Sequence, residues 1–160
     1  MRIDRPALVL ALLGLAGSAA AANTAKGALT VKGQKLALSN VYAYAEAGTS
    51  DTGGADVVVI LSNVAIPEAS ARDMFALREK VPQYLRLTIS SEGQITSVRP
   101  QHGAFKNVMG GGSSDFVFEK TALDGKSVSG RAFTKRPQRG FDDEPWEFDV
   151  TFETAVAPKK

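Results

Sequence analysis

The chain has 160 residues, of which 44% are hydrophobic and 22% are charged, and these values exclude a disordered or fibrous chain. The formal net charge is +2 and falls to +1 without the first 22 residues, which is too little to indicate nucleic-acid binding. Cysteine is absent, which excludes disulfides, thiolate metal sites and cysteine nucleophiles, and we expect no lipoprotein anchor.

The first residues have the layout of a secretory signal peptide. Arg2 and Arg5 give a positive start, and the run Ala7–Ala16 is apolar over 10 residues. Small residues follow and end in Ala20–Ala22, a sequence that suits signal peptidase. A transmembrane helix needs about 20 apolar residues, so this run is too short for that alternative.

We therefore expect residues 1–22 to be removed as a signal peptide and residues 23–160 to form a single β-rich domain. The mature protein would begin at Asn23 and would have no integral membrane segment. Its expected location is the bacterial periplasm or the outside of the cell.

Alternating and β-branched stretches predict strands in the first half of this domain. A short strand at Ala28–Lys32 is followed by a longer one from Lys35 to Glu46, with Leu36, Leu38, Tyr42 and Tyr44 on one face. The uninterrupted apolar run in Asp56–Ser62 predicts a strand covered on both faces, the most central of the sheet. One helix is expected over about 68–80, between two prolines.

The second half continues with strands. They are expected in Gln83–Ser90, Ile95–Arg99, a segment opened by Phe116, and Val128–Lys135. In the last one, Trp146–Phe152, large apolar residues alternate with polar ones, which predicts one buried and one solvated face. About eight strands and one helix indicate a mainly β fold, an antiparallel β-sandwich or barrel. Its last strand is expected to pair with Val128–Lys135 because they are neighbours in sequence.

Two motifs carry a resemblance. The segment Asp124–Arg131 reads Asp-Gly-Lys-Ser-Val-Ser-Gly-Arg, and the chain closes with the Trp146–Phe152 strand. Together with an early strand pair over Gly27–Gly33, they resemble a loose set of exported bacterial β-rich proteins of unknown function. The resemblance implies a similar β fold and no particular activity.

The only histidine is His102, so a Ser–His–Asp hydrolase is possible only through it, with Ser113, Ser114 and Asp115 nearby in sequence. Neither serine lies in a Gly-x-Ser-x-Gly elbow, and an exposed loop histidine is the simpler interpretation. The run Gly110–Gly112 lacks the lysine and helix of a phosphate loop, which favours a flexible connection.

The acidic run Asp142–Glu144, with Asp149 nearby, offers oxygen ligands of the kind Ca²⁺ prefers. It lacks the spaced pattern of a calcium loop, and contiguous acids usually form a solvated turn. We expect no cofactor.

The segment 133–146 mixes cations, acids and aromatic rings, the composition from which binding surfaces take their anchors. The alternative is that Phe133 and Trp146 belong to the core and that the charges pair with one another. The candidate binding residues are Lys135, Arg136, Arg139, Phe141, Asp142, Asp143, Glu144 and His102.

These features favour an exported, non-enzymatic binding or interaction protein of the bacterial cell envelope. Its partner would be a protein or an envelope glycan of unknown identity, and no nucleic acid. Two alternatives remain: a periplasmic hydrolase that uses His102 or the acidic run 142–144, and a carrier whose lumen holds a small apolar ligand. The rings expected to line such a lumen are Tyr42, Tyr44, Phe116 and Phe118.

Overall fold

The computed structural model describes residues 22–48, 54–106 and 114–159. Residues 1–21 of the expected signal peptide, the run Gly110–Gly112 and Ser113 lie outside these ranges. The described residues form ten strands and two short helices, which confirms the mainly β fold. The strand count exceeds the expected eight for two reasons. The strand predicted over 35–46 consists of two strands, and the sequence does not predict the two-residue strand Gln138–Arg139.

The strands are β1 (Thr24–Val31), β2 (Gln34–Ala37), β3 (Asn40–Glu46), β4 (Asp56–Ser62), β5 (Tyr84–Ile89), β6 (Ile95–Gln101), β7 (Phe116–Leu123), β8 (Ser127–Thr134), β9 (Gln138–Arg139) and β10 (Pro145–Ala157). The helices are α1 (Glu68–Ala71) and α2 (Met74–Lys80).

Strand β10 joins the whole sheet. It pairs antiparallel with β1 along one side and with β8 and β9 along the other, so the expected pairing of the last strand with the 128–135 segment is confirmed. Beyond the end of β1, it pairs in parallel with β3 through Val156 and Ala157. From there the sheet continues through β4 and β5 to β6, while β2 flanks β1 and β7 flanks β8.

The two halves of this open sheet face each other across one core. From β10 the buried side chains are Trp146, Phe148, Val150 and Phe152, as the alternation predicts. From the other half come Val57, Val59 and Leu61 of β4 with Leu85, Leu87 and Ile89 of β5. All seven residues of β4 are buried, which confirms it as a strand covered on both faces.

The strand predicted from Lys35 to Glu46 is two strands, β2 and β3. Leu38 and Val41 both face the core, although they are three positions apart and would lie on opposite faces of one continuous strand. The alternation therefore changes phase between the two strands. The prediction that Tyr42 and Tyr44 share the face of the leucines is wrong, since both tyrosines lie on the opposite side of the sheet.

A change of partner strand explains this phase change. The Leu38 N–H donates to the carbonyl of Gly27 in β1 at 3.0 Å, whereas the next N–H, of Ser39, donates to Ser62 of β4 at 3.0 Å. The chain thus leaves one half of the sheet and enters the other within two residues. Alternation along a single strand cannot describe such a step.

The helix predicted over about 68–80 is also two elements, separated by Arg72 and Asp73. Asp73 is the N-cap of α2, and its Oδ1 accepts hydrogen bonds from the N–H groups of Phe75 and Ala76 at 2.8 and 3.2 Å. A side chain that satisfies backbone donors in this way favours a new helix start over a continuous helix.

Both helices cover the outer face of β3, β4 and β5. Ala71 of α1 and Leu77 of α2 pack there with Val58 and Ile60 of β4 in a second apolar cluster. In the part of the chain that the structure describes, no helix has the length and apolar character needed to cross a membrane.

Candidate functional site

Two loops that are separate in sequence meet at one end of the fold. The N–H of Lys135 donates to the Asp115 carbonyl at 2.8 Å, and the Lys135 ammonium donates to the Ser114 carbonyl at 3.3 Å. Arg136 Nε donates to Asp115 Oδ2 at 2.9 Å. We call the combined face, made of residues 102–106, 114–115 and 135–145, the loop-end surface.

The most prominent part of this surface is a tight turn over residues 139–144, the Phe141 turn. The Gly140 N–H donates to the Glu144 carbonyl at 2.8 Å, and the Asp143 N–H donates to the Gly140 carbonyl at 3.1 Å. Asp143 has a φ of 59°, a left-handed conformation that aspartate tolerates better than most residues. Arg139 binds both the carbonyl and the carboxylate of Asp143, at 3.1 and 3.4 Å.

Glu144 stabilises the turn from its buried side. Its side chain is 2% exposed and lies 3.6 Å from the ammonium of Lys32, in the β1–β2 hairpin. Its Oε2 accepts from the Asp142 N–H at 3.0 Å. Burial alone raises the pKa of Glu144, but hydrogen bonds from backbone N–H groups, including that of Lys106, and the charge of Lys32 lower it overall. The expectation that Asp142–Glu144 is wholly a solvated turn is therefore wrong for Glu144.

Phe141 lies at the tip of this turn, and 74% of its surface is exposed. Only Phe75, on α2, is a more exposed large apolar side chain in the described ranges, at 84%. A shallow cavity of about 160 Å³ lies beside the turn, lined in part by Pro137, Pro145 and Trp146. The surface thus pairs a protruding ring with a small recess.

Aromatic side chains connect this surface to the core. Trp146 is 5% exposed and packs edge-on against Phe105, with ring centroids 6.4 Å apart. Phe116 lies 5.9 Å from Trp146 on the same measure. Phe133 is only partly buried, and the guanidinium carbon of Arg131 lies 4.6 Å from the centroid of its ring. Of the two rings considered for the core, Trp146 therefore belongs to it, whereas Phe133 lies outside it, on the face of β8 that carries Arg131.

His102 is buried, with 6% of its surface exposed, so the expectation of an exposed loop histidine is wrong. Its Nδ1 accepts a hydrogen bond from the Ala104 N–H at 3.1 Å, and its ring packs edge-on against Phe105 at 6.5 Å. Burial lowers the pKa of His102 from its ordinary value, which favours the neutral imidazole. The histidine supports the 102–106 loop from inside.

The residues considered for a Ser–His–Asp site have other contacts in the described ranges, and Ser113 lies outside these ranges. Asp115 contacts Arg136 and Gln138, while His102 contacts Ala104 and Phe105. In the described ranges, no three histidine, aspartate or glutamate side chains are grouped closely enough to hold a metal ion. Asp149 pairs with Arg131 at 2.7 Å, apart from the Phe141 turn.

The four rings expected to line a lumen are also divided between two clusters. Tyr42 and Tyr44 lie on the outer face under the helices, whereas Phe116 and Phe118 pack against the main core. They do not line one cavity.

Sequence reasoning missed Phe105, within this surface, and Lys32, which lies beside it and contacts Glu144. The Lys32 N–H donates to the Pro145 carbonyl at 2.8 Å, so the β1–β10 pairing places the lysine beside Glu144. To predict this contact from the sequence, one must know that the first strand pairs with the last. Comparison of the chain with protein-family models, curated proteins and solved structures found no significant match.

Proposed function

We propose that this protein is an exported, non-enzymatic binding protein of the bacterial cell envelope and that a protein partner docks on the loop-end surface, with Phe141 as its anchor. The observation that carries the proposal is a large exposed ring on a turn that is fixed by its own hydrogen bonds. The apolar surface of an exposed aromatic ring stays in contact with water until a partner covers it. Covering the ring therefore favours binding.

Pre-organisation supports this assignment. The Phe141 turn is held by backbone hydrogen bonds, by the Arg139–Asp143 pair and by buried Glu144. A ring presented on such a turn loses little conformational entropy on binding, so more of its burial contributes to affinity. Anchors of this kind are typically aromatic and are surrounded by polar residues. Here Arg136, Arg139 and Asp142 provide those polar neighbours, and all three are exposed.

Export is part of the proposal and is supported by the layout of residues 1–22. Cell fractionation and mass spectrometry of the purified protein test it. We expect the protein in the periplasmic or secreted fraction, with Asn23 as its first residue. Cytoplasmic protein that keeps Arg2 and Arg5 would contradict export without affecting the docking surface.

The docking surface is tested with Phe141→Ala, because removing a ring at the tip of the turn leaves the hydrogen bonds of the turn in place. We expect a periplasmic partner captured by the wild type to bind the variant at least about thirtyfold more weakly, as truncation of an anchor residue costs about 2 kcal/mol or more. Affinity capture from extract identifies the partner, and titration with the purified partner measures the change.

Phe75→Ala is the matched control, since it also removes one highly exposed phenylalanine, from α2. It should bind like the wild type. The charge-reversal pair Arg136→Glu/Arg139→Glu should weaken binding further, although it also breaks the contacts with Asp115 and Asp143. Equal capture of the partner by the wild type, Phe141→Ala and the charge-reversal pair would refute this docking site.

A further inference from the structure

Arginines gather on the outer face of the second half of the sheet. Arg86 in β5 and Arg99 in β6 are directly opposite in the antiparallel register, so their side chains leave the sheet on the same face. The same register places Tyr84 opposite Gln101 beside them. Arg78, in α2, lies over this face close to Tyr84. We call Arg78, Arg86 and Arg99 the arginine cluster.

Tyr84 shows that the three charges converge. Its side chain is 4% exposed, and this burial raises the pKa of Tyr84. The positive charges of Arg78, Arg86 and Arg99 act in the opposite direction, because each lies near enough to stabilise the phenolate. The three positive charges therefore act on the same side chain, and Arg86 also donates to the Tyr44 hydroxyl at 3.4 Å.

These arginines have unused hydrogen-bonding capacity. The Nε atoms of Arg86 and Arg99 are buried and have no hydrogen-bond partner among the described residues, and neither does the side-chain oxygen of Gln101. A terminal nitrogen of Arg99 contacts the sulfur of Met74 at 3.0 Å, a weak acceptor. Most buried polar groups are paired, so two unpaired donors on directly opposite residues need an explanation.

The local charge is also unbalanced. Arg86 lies 3.6 Å from a carboxylate oxygen of Glu46, which is half exposed, and this is the ion pair that the described residues provide for the cluster. Three positive charges and one negative charge leave a formal +2. Like charges directly opposite each other in a sheet are destabilising, and a bound anion would remove that cost.

We propose that the arginine cluster binds a phosphate group, with the guanidinium groups of Arg86 and Arg99 as its principal donors. The planar fork of arginine matches two phosphate oxygens, and a phosphate dianion matches the +2 charge. Small side-chain rotations, which are common on binding, would turn the unpaired Nε–H groups toward the ligand. This site is independent of the loop-end surface and of the function proposed for it.

Nuclear magnetic resonance of the full domain tests this proposal, with inorganic phosphate as the probe at constant ionic strength and neutral pH. The Nε–H signals of Arg86 and Arg99 should shift and saturate, while that of Arg131, already bound to Asp149 at 2.9 Å, should not. Arg86→Gln and Arg99→Gln should each weaken binding by about tenfold or more, as expected for a lost charge-assisted hydrogen bond. Arg131→Gln is the matched control and should bind like the wild type.

Thermal unfolding gives a second readout that does not depend on signal assignment. Phosphate should raise the melting temperature of the wild type and of Arg131→Gln, but not that of Arg99→Gln. Arg99→Lys keeps the charge and loses the planar fork, so it should also bind more weakly than the wild type. Absence of a saturable shift, or equal phosphate binding by wild type and Arg99→Gln, would overturn the site.

Vesicles distinguish a soluble phosphate ester from a lipid headgroup as the source of the group. Co-sedimentation with phosphatidic acid vesicles that is lost in Arg99→Gln, and absent with phosphatidylcholine, would indicate the lipid. Saturation by inorganic phosphate without vesicle binding would indicate a soluble ligand. Both results support the phosphate site, whereas vesicle binding unchanged in Arg99→Gln would contradict a role for the cluster.

Discussion

Two buried polar residues stabilise the loop-end surface, and both differ from their sequence-based interpretation. The sequence predicts a solvated turn for Glu144 and an exposed loop for His102, whereas both side chains are buried. Each is buried because residues distant in the sequence cover it: Lys32 and the backbone of Lys106 surround Glu144, and Phe105 packs against His102. Such contacts cannot be inferred from the type of a residue or from its neighbours in the sequence.

The state of His102 gives a pH prediction. Because burial lowers its pKa in the folded protein, the unfolded chain binds the proton more readily. The stabilisation from neutral His102 is complete above the unfolded-state pKa, about 6.5, and decreases as the pH falls through that value toward the folded-state pKa. We expect a proton titration of the His102 ring by magnetic resonance to have its midpoint below 6.5 in the folded protein.

His102→Gln is the comparison, since it keeps a polar side chain and removes the titration. Its unfolding free energy should depend less on pH between neutrality and mildly acidic conditions. A midpoint at or above that of an unstructured histidine peptide would show that the ring is not buried in this way.

At the scale of the strands and helices, the sequence predicts what is strictly local. The alternation in β10 and the apolar run in β4 are enough to identify both strands and their buried faces, although β10 continues to Ala157, beyond the predicted end at Phe152. The breaks are harder to predict, because they depend on partners. The β2–β3 step follows from exchanging β1 for β4 as the neighbour, and the α1–α2 break follows from capping by Asp73. Of the candidate site, the sequence identifies the 133–146 segment and His102, but not that the 102–106 loop packs beside this segment.

The β7–β8 hairpin contains a position that requires glycine. Gly130 has a φ of 153°, and a Cβ atom there would collide with the carbonyl of Glu119 and the ring of Phe118. The register of β7 shifts next to it, between Lys120 and Ala122. The Phe118 ring lies over the glycine and stacks on Phe152 with centroids 5.8 Å apart. The hairpin can pack closely on β10 because this position has no side chain.

We therefore expect Gly130→Ala to lower the unfolding free energy by at least about 2 kcal/mol, from backbone strain and displacement of Phe118. Chemical denaturation measures the loss. Gly103→Ala is the matched control, because its Cβ would meet only the side chain of Gln83, at 3.8 Å. A similar small effect of both substitutions would contradict the strain at Gly130.

For the whole molecule, stability depends on β10. It lies between β1 on one side and β8 and β9 on the other, and its end continues the sheet into β3. Its apolar side chains occupy the centre of the core. The expected fold class follows from counting local strands, but this connection does not, since it joins segments from both ends of the domain.

Deleting residues 145–157 should therefore unfold the whole domain, unlike the removal of a strand at the edge of the sheet. We expect the shortened chain to lose its dispersed magnetic-resonance spectrum and its cooperative thermal transition. A chain that lacks only 158–160 is the control and should fold. Retention of a cooperative transition without β10 would show that the two halves of the sheet fold separately.

The strand that unites the sheet is also the last of the ten to leave the ribosome. Until it emerges, β1 and β8 lack the strand that lies between them, and the main core cannot close. Non-local pairing of this kind makes folding slow as well as late. The complete core therefore closes only after the last of these strands has been made, and until then the earlier strands lack the partner they share.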